Sequence, residues 1–154
     1  MATLGTYGMK QPKLRVRQSG IVRLQCFKDL PDGNLFIAEV NRHVPFDIKR
    51  VYFINGLVNP IAVRGKHAHK TLEQLMFCIS GSFVLRLDDG TNRQRITLRD
   101  PSCGIRIGPM LWHTMGSFSH DCVILVIASA VFDESDYIRD YQAFLDCVRS
   151  GRYA

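Results

Sequence analysis

From residue 21 onward the chain is punctuated by turn residues so often that no segment before the last twenty residues has room for a long helix. Strand-like apolar runs occupy residues 21–27, 35–40, 48–54, 72–79, 82–87, 93–98, 105–107 and 122–128. Between them stand Pro31-Asp32-Gly33-Asn34, Gly56 with Pro60, Ser80-Gly81, Asp88-Asp89-Gly90 and Asp100-Pro101. Asp88-Asp89-Gly90 is a hairpin signal, and residues 93–98 return in strict alternation with Ile96 and Leu98 on one face. Parallel strands need crossover connections of a dozen or more residues, usually helical, and none is present here. The spacing therefore predicts an all-β sandwich or barrel. One helix is expected at the end, over about 135–149. Ser135 and Asp136 offer caps there, and Ile138, Tyr141, Leu145 and Val148 recur at helical spacing. Residues 1–19 lack sustained periodicity and read as a flexible extension, leaving 20–154 as one domain.

With 154 residues, 46% of them apolar, the chain can enclose a single core. Its longest apolar run, Val123–Ala128, is far too short to cross a bilayer, and the first ten residues lack the pattern of a secretory signal. A cytoplasmic protein without membrane contacts is expected. Five scattered cysteines, an odd number without a CxxC pair, argue against both a disulfide framework and a zinc ribbon. The net charge of +6 suggests nucleic acid until its position is considered. Six basic residues precede Asp29, the first acid, and the remaining 14 basic and 14 acidic residues cancel. A short basic arm in front of a neutral body is not the basic face of a nucleic-acid binder, so no nucleic-acid partner is expected.

Chemistry concentrates in Arg64-Gly65-Lys66-His67-Ala68-His69-Lys70-Thr71-Leu72-Glu73-Gln74. Alternate residues of a strand share a face, so His67 and His69 project together. Glu73 joins them if the strand continues without a bulge; it equally suits a sheet residue accepting from an arginine. The segment from Gly104 to His113 can bring a further imidazole from a neighbouring strand. Imidazoles titrate near neutrality and suit proton transfer. His43 and His120 stand alone and read as surface or core residues.

The HxH pair, the following Glu73 and then Gly81 resemble the first cupin motif; Pro109 and His113 only approximate the second. In metal cupins such a set binds iron or manganese. His67, His69, Glu73 and His113 leave a metal-dependent enzyme open as an alternative, as is a non-catalytic sugar-nucleotide-binding cupin. More of the chain is similar to the dTDP-sugar 3,4-ketoisomerases of the WxcM-like cupin family. The resemblance is carried by Pro45 to Ile54, Arg64 to Lys70, Gly108-Pro109-Met110-Leu111-Trp112-His113, and Asp133-Glu134-Ser135-Asp136-Tyr137-Ile138-Arg139-Asp140-Tyr141. It spans roughly residues 20–148 and implies a cupin-type (RmlC-like) β-sandwich barrel. It also implies a homodimer with exchanged N-terminal strands, no cofactor and no required metal. The implied substrate is dTDP-4-keto-6-deoxyglucose, isomerised through an enediol to a 3-keto sugar that leads to 3-amino-3,6-dideoxy sugars. On this resemblance His69 is the main base and His67 a shuttle between sugar oxygens. Arg64 is assigned to the enediolate or diphosphate, with Arg50, Tyr52, Trp112 and His113 near the substrate. For each of these a packing or surface role is the alternative. His113 resembles members giving the galacto product, whereas Asp32 departs from the Arg or Tyr that relatives often carry there.

Overall fold

The computed structural model describes residues 3–4 and 13–151, in which thirteen strands build three sheets. The small sheet has the order β1-β3-β4, from Thr3–Leu4, Gln25–Asp29 and Gly33–Ile37. The first large sheet runs β2-β10-β7-β12-β5, from Ser19–Arg23, Cys103–Ile107, Gln74–Ser80, Val123–Ala128 and Arg50–Ile54. The second runs β13-β6-β11-β8-β9, from Tyr137–Ile138, Arg64–His69, Trp112–Gly116, Phe83–Asp88 and Arg93–Leu98. All the paired strands are antiparallel. The two five-stranded sheets form a sandwich of cupin type, as the strand spacing requires, without joining edge to edge into a closed barrel.

Period-2 alternation fills the space between the sheets. Met76, Cys78, Ile105, Ile107, Ile124 and Val126 of the first sheet meet Phe83, Leu85, Leu87, Ile96, Leu98 and Met115 of the second, all almost fully buried. Removing each such side chain from water contributes roughly 1.5–3 kcal/mol. The outer face of the first sheet has its own cluster of Val44, Leu75, Phe77 and Ile127. On the outer face of the second, Ala68, Ile138 and Trp112 pack against Phe144 of the helix α1, Tyr141–Ser150.

Three boundaries differ from the sequence reading. The run at 21–27 is two strands in different sheets, because the chain steps off the first sheet at Leu24, whose N–H bonds to the Ser102 carbonyl. The helix starts at Tyr141, capped by Asp140, whose carboxylate accepts from the Ala143 N–H at 2.7 Å. Residues 134–136 form only one 3-10 turn, because Tyr137 and Ile138 are drawn into the sheet as partners of His69 and Ala68. Finally, residues 13–18 are not a free tail. Val16 is buried, the Arg15 N–H donates to Gln94, and the Arg17 N–H donates to Asp89. Of the expected extension, residues 1–2 and 5–12 lie outside the described residues.

Candidate active site

β6 brings His67 and His69 to the inner face, and β11, its neighbour, brings His113 opposite His67. The ring centroids of His67 lie 4.8 Å from His69 and 4.5 Å from His113, with 6.1 Å between His69 and His113. His69 and His113 are buried, while His67 is half-exposed. Tyr137 closes one side, its ring 4.8 Å from His67 and 4.4 Å from His69. Arg50 and Tyr52 come from β5 across the sandwich, with the Arg50 guanidinium 5.2 Å from the Tyr52 ring.

A bulge sets the reach of β6. Gly65 and Lys66 both have positive φ, and the register skips Lys66: His67 pairs with His113, Gly65 with Thr114, Arg64 with Met115. An extra residue in one strand preserves the facing of those on either side. Arg64, three residues before His67, therefore shares its face, although its side chain is exposed. Only glycine fits at position 65, because a Cβ there would stand 2.8 Å from the His113 carbonyl oxygen.

Hydrogen bonds fix two of the three rings. His69 Nδ1 lies 3.0 Å from Asp136 Oδ2, while Oδ1 of the same carboxylate accepts from the Thr71 N–H and hydroxyl at 2.8 and 2.7 Å. A carboxylate accepts only, so His69 carries its proton on Nδ1 and presents a lone pair at Nε2. The Tyr52 hydroxyl donates to Gln74 Oε1 at 3.3 Å, and Gln74 Nε2 lies 3.3 Å from His113 Nε2. With its carbonyl oxygen taken by the tyrosine, Gln74 donates to His113. That places the His113 proton on Nδ1, 3.4 Å from the Leu111 carbonyl. Among the described residues, two buried side-chain polar atoms have no hydrogen-bond partner, His67 Nδ1 and Arg50 Nε.

Burial governs the charge of the cluster. It lowers His69 from its ordinary value to about 4, helped by neighbouring His67 and opposed by Asp136. It also lowers His113 well below the usual range, with His67 and His69 adding to the effect. His67 is lowered less, again mainly by burial, with the nearby Gly65 carbonyl pulling the other way. All three imidazoles are therefore neutral near pH 7. Tyr52 is raised by burial, against the pull of Arg50, and stays a neutral donor.

Two of the residues expected at the site are elsewhere. Glu73 does not share the face of His67 and His69, because β6 ends at His69 and the chain crosses to the other sheet before β7 begins at Gln74. Gln74 faces inward, so Glu73 faces out, where it accepts from Arg106 Nε at 2.7 Å. A four-ligand set with two His, Glu73 and a third His is thus not assembled here. Trp112 likewise points outward, next to inward His113, and packs edge-on against Tyr141 of α1 at 5.1 Å. The reading of residue types missed Gln74 as a donor and took Asp136 for a helix cap. Asp136 lies in the segment from Asp133 to Tyr141 that the sequence comparison had singled out, which was the available signal.

A family model described as FdtA, WxcM-like, C-terminal, matches residues 17–149. A TDP-4-oxo-6-deoxy-alpha-D-glucose-3,4-oxoisomerase of Aneurinibacillus thermoaerophilus is 48% identical over 120 residues, covering 77% of this chain and 86% of that protein. Among solved structures, a histidine-to-asparagine mutant of the 3,4-ketoisomerase QdtA from Thermoanaerobacterium thermosaccharolyticum, in complex with TDP-4-keto-6-deoxyglucose, superposes with a TM-score of 0.84. It is 38% identical, over 88% of this chain and 96% of that one. The rmlC epimerase of Mycobacterium tuberculosis shares the fold alone, with a TM-score of 0.69 at 16% identity over 84% of this chain and 72% of that one.

Proposed function

Because this chain belongs to the WxcM-like (FdtA) family, we propose that it converts TDP-4-keto-6-deoxyglucose into a TDP-3-keto-6-deoxyhexose by histidine acid–base catalysis through an enediol. The observation that carries the proposal is the buried imidazole cluster with His69 held by Asp136 and its Nε2 free.

Moving a ketone to the adjacent carbon requires only proton transfers. A base takes the proton from carbon 3, and the electron pair forms the carbon 3–carbon 4 double bond as the carbon 4 oxygen is protonated. Loss of the carbon 3 hydroxyl proton and delivery of a proton to carbon 4 then leave the ketone at carbon 3. His69, neutral at pH 7 with its lone pair at Nε2, is the base in this reading. When it takes a proton, Asp136 faces the new imidazolium and offsets the cost of a buried charge. His67, half-exposed and 4.8 Å away, moves protons between the two sugar oxygens. The orphaned Arg50 Nε beside Tyr52 supports a substrate oxygen as its partner, since buried donors are rarely left unpaired. Arg64, at the exposed start of β6, is assigned to the negative charge of the enediolate or diphosphate.

The galacto configuration at carbon 4 forms part of the same proposal, supported by His113 in the wall of the site, while Asp32 is exposed on the β3–β4 turn. The new carbonyl at carbon 3 suits amination, which would lead to 3-amino-3,6-dideoxy sugars. A homodimer exchanging N-terminal strands is supported by the separate β1-β3-β4 sheet and by exposed Leu35, Val51 and Phe53. Five free cysteines support the cytoplasm as its compartment. Among the described residues no helix is long and apolar enough to cross a membrane.

The test is proton NMR of chelator-treated protein with TDP-4-keto-6-deoxyglucose in deuterated water. Expected are 3-keto product signals carrying deuterium at carbon 4, absent with His69→Ala, and the coupling constants give the configuration there. Unchanged substrate at high protein concentration would overturn the proposal. Activity restored only by added metal would transfer the reading to a metal enzyme.

A further inference from the structure

The outer face of the second sheet carries a groove of about 400 Å³ that the isomerase chemistry does not use. Its floor is a row of side chains aligned across three strands: Thr114 on β11 opposite Arg86 on β8, and Arg86 opposite Arg95 on β9. The next row places Trp112 opposite Asp88 and Asp88 opposite Arg93, with Tyr141 of α1 closing that end. The faces are unambiguous. Val84, Arg86 and Asp88 alternate with Phe83, Leu85 and Leu87, which fill the core.

The charge in this groove is unbalanced at one point. Asp88 is already satisfied, accepting from Arg93 Nε and from the Tyr141 hydroxyl, both at 2.7 Å. Arg17, Arg42, Arg93, Arg106, Arg139 and Arg149 all lie within ion-pair distance of a carboxylate. Arg86 and Arg95 have no acidic partner among the described residues, yet they stand directly opposite each other. Like charges in that position destabilise a sheet. Two arginines carried at facing positions of neighbouring strands can converge on the oxygens of a phosphate, and Thr114, opposite Arg86, adds a hydroxyl donor. Trp112, half-buried against Tyr141 and Phe144, offers a flat apolar wall held in place by packing. A volume of about 400 Å³ falls within the range of small-molecule pockets.

We propose that this groove binds a small phosphate ester bearing a flat ring, with the phosphate on Arg86, Arg95 and Thr114 and the ring against Trp112. The site is distinct from the imidazole cluster, which lies on the opposite face of the same sheet.

Trp112 is the only tryptophan in the chain, so its fluorescence reports this groove directly. The probe is AMP, titrated into the full-length protein and into the Arg86→Gln/Arg95→Gln variant, with adenosine as the ring-only control. Expected is a saturable change in tryptophan emission with AMP, at least about tenfold weaker in the variant, since charge-assisted bonds from two guanidiniums are lost. Adenosine should be silent, and the variant should retain keto-sugar turnover. The proposal is overturned if AMP gives no saturable change, or if the variant binds AMP as tightly as the wild type, which would place AMP in the sugar site. It is also overturned if sedimentation shows that the variant alters the oligomeric state, which would make this face a contact between copies of the chain.

Discussion

With Asp136 Oδ2 3.0 Å from His69 Nδ1, the tautomer of the proposed base depends on a single carboxylate. Asp136→Asn tests that dependence with little change in shape. Thr71 presents two donors to Oδ1, so an asparagine keeps its carbonyl on that side and turns its amide N–H₂ toward His69. The ring must then accept at Nδ1 and carry its proton on Nε2, where the lone pair is needed. We expect kcat to fall by on the order of 10²-fold or more, the scale of a general base, with KM nearly unchanged. The pH profile should also lose its dependence on this ring. A variant with kcat within about threefold of wild type would remove Asp136 from the chemistry.

At the scale of strands and turns, function follows from which parity each segment keeps. The Gly65–Lys66 bulge holds Arg64 on the face of His67, and the break after His69 exchanges Glu73 for Gln74. Glu73→Gln should therefore leave turnover within about twofold of wild type. It should lower the urea-unfolding free energy by only about 1 kcal/mol, because the Glu73–Arg106 pair is part-exposed and screened. Loss of activity without loss of stability would return Glu73 to the site. These parities also mark how far the sequence was legible. Alternation and turn residues predicted the sandwich, and the HxH spacing placed His67 and His69 together, since both signals are local. Whether a strand ends at residue 69 or runs to 73 depends on which sheet the chain joins next, and that is a tertiary choice. The same holds for Asp136. Its capping propensity is a local preference, and the pairing of Tyr137 with His69 overrides it. Trp112 was placed beside His113 near the substrate, whereas neighbours in a strand face opposite ways: with His113 facing His67, Trp112 packs out against α1.

For the whole molecule, three neutral imidazoles in one core make stability depend on pH. In the unfolded chain they take up protons as pH falls through about 6.5. Folded, His69 does so only near 4, and His67 and His113 are also lowered. Between these values the unfolded state binds more protons, so stability is full above about pH 6.5 and is lost as pH falls toward 4. At about 1.4 kcal/mol per pKa unit, His69 alone accounts for up to about 3 kcal/mol. Urea midpoints measured from pH 7.5 to 5 should drop steadily, and His69→Gln should flatten the curve. A midpoint constant over that interval would mean that the cluster is not held neutral.

The link between His69 and Asp136 joins residues 67 positions apart in the chain. A ribosome adding about 5–20 residues per second needs roughly 3–13 s to travel that distance. Throughout that time the histidine pair has been made while the carboxylate that sets its tautomer has not. On the proposed mechanism, catalytic competence is thus dated to the late arrival of Asp136, just ahead of β13, and a growing chain carries the HAH sequence without the carboxylate that would arm it.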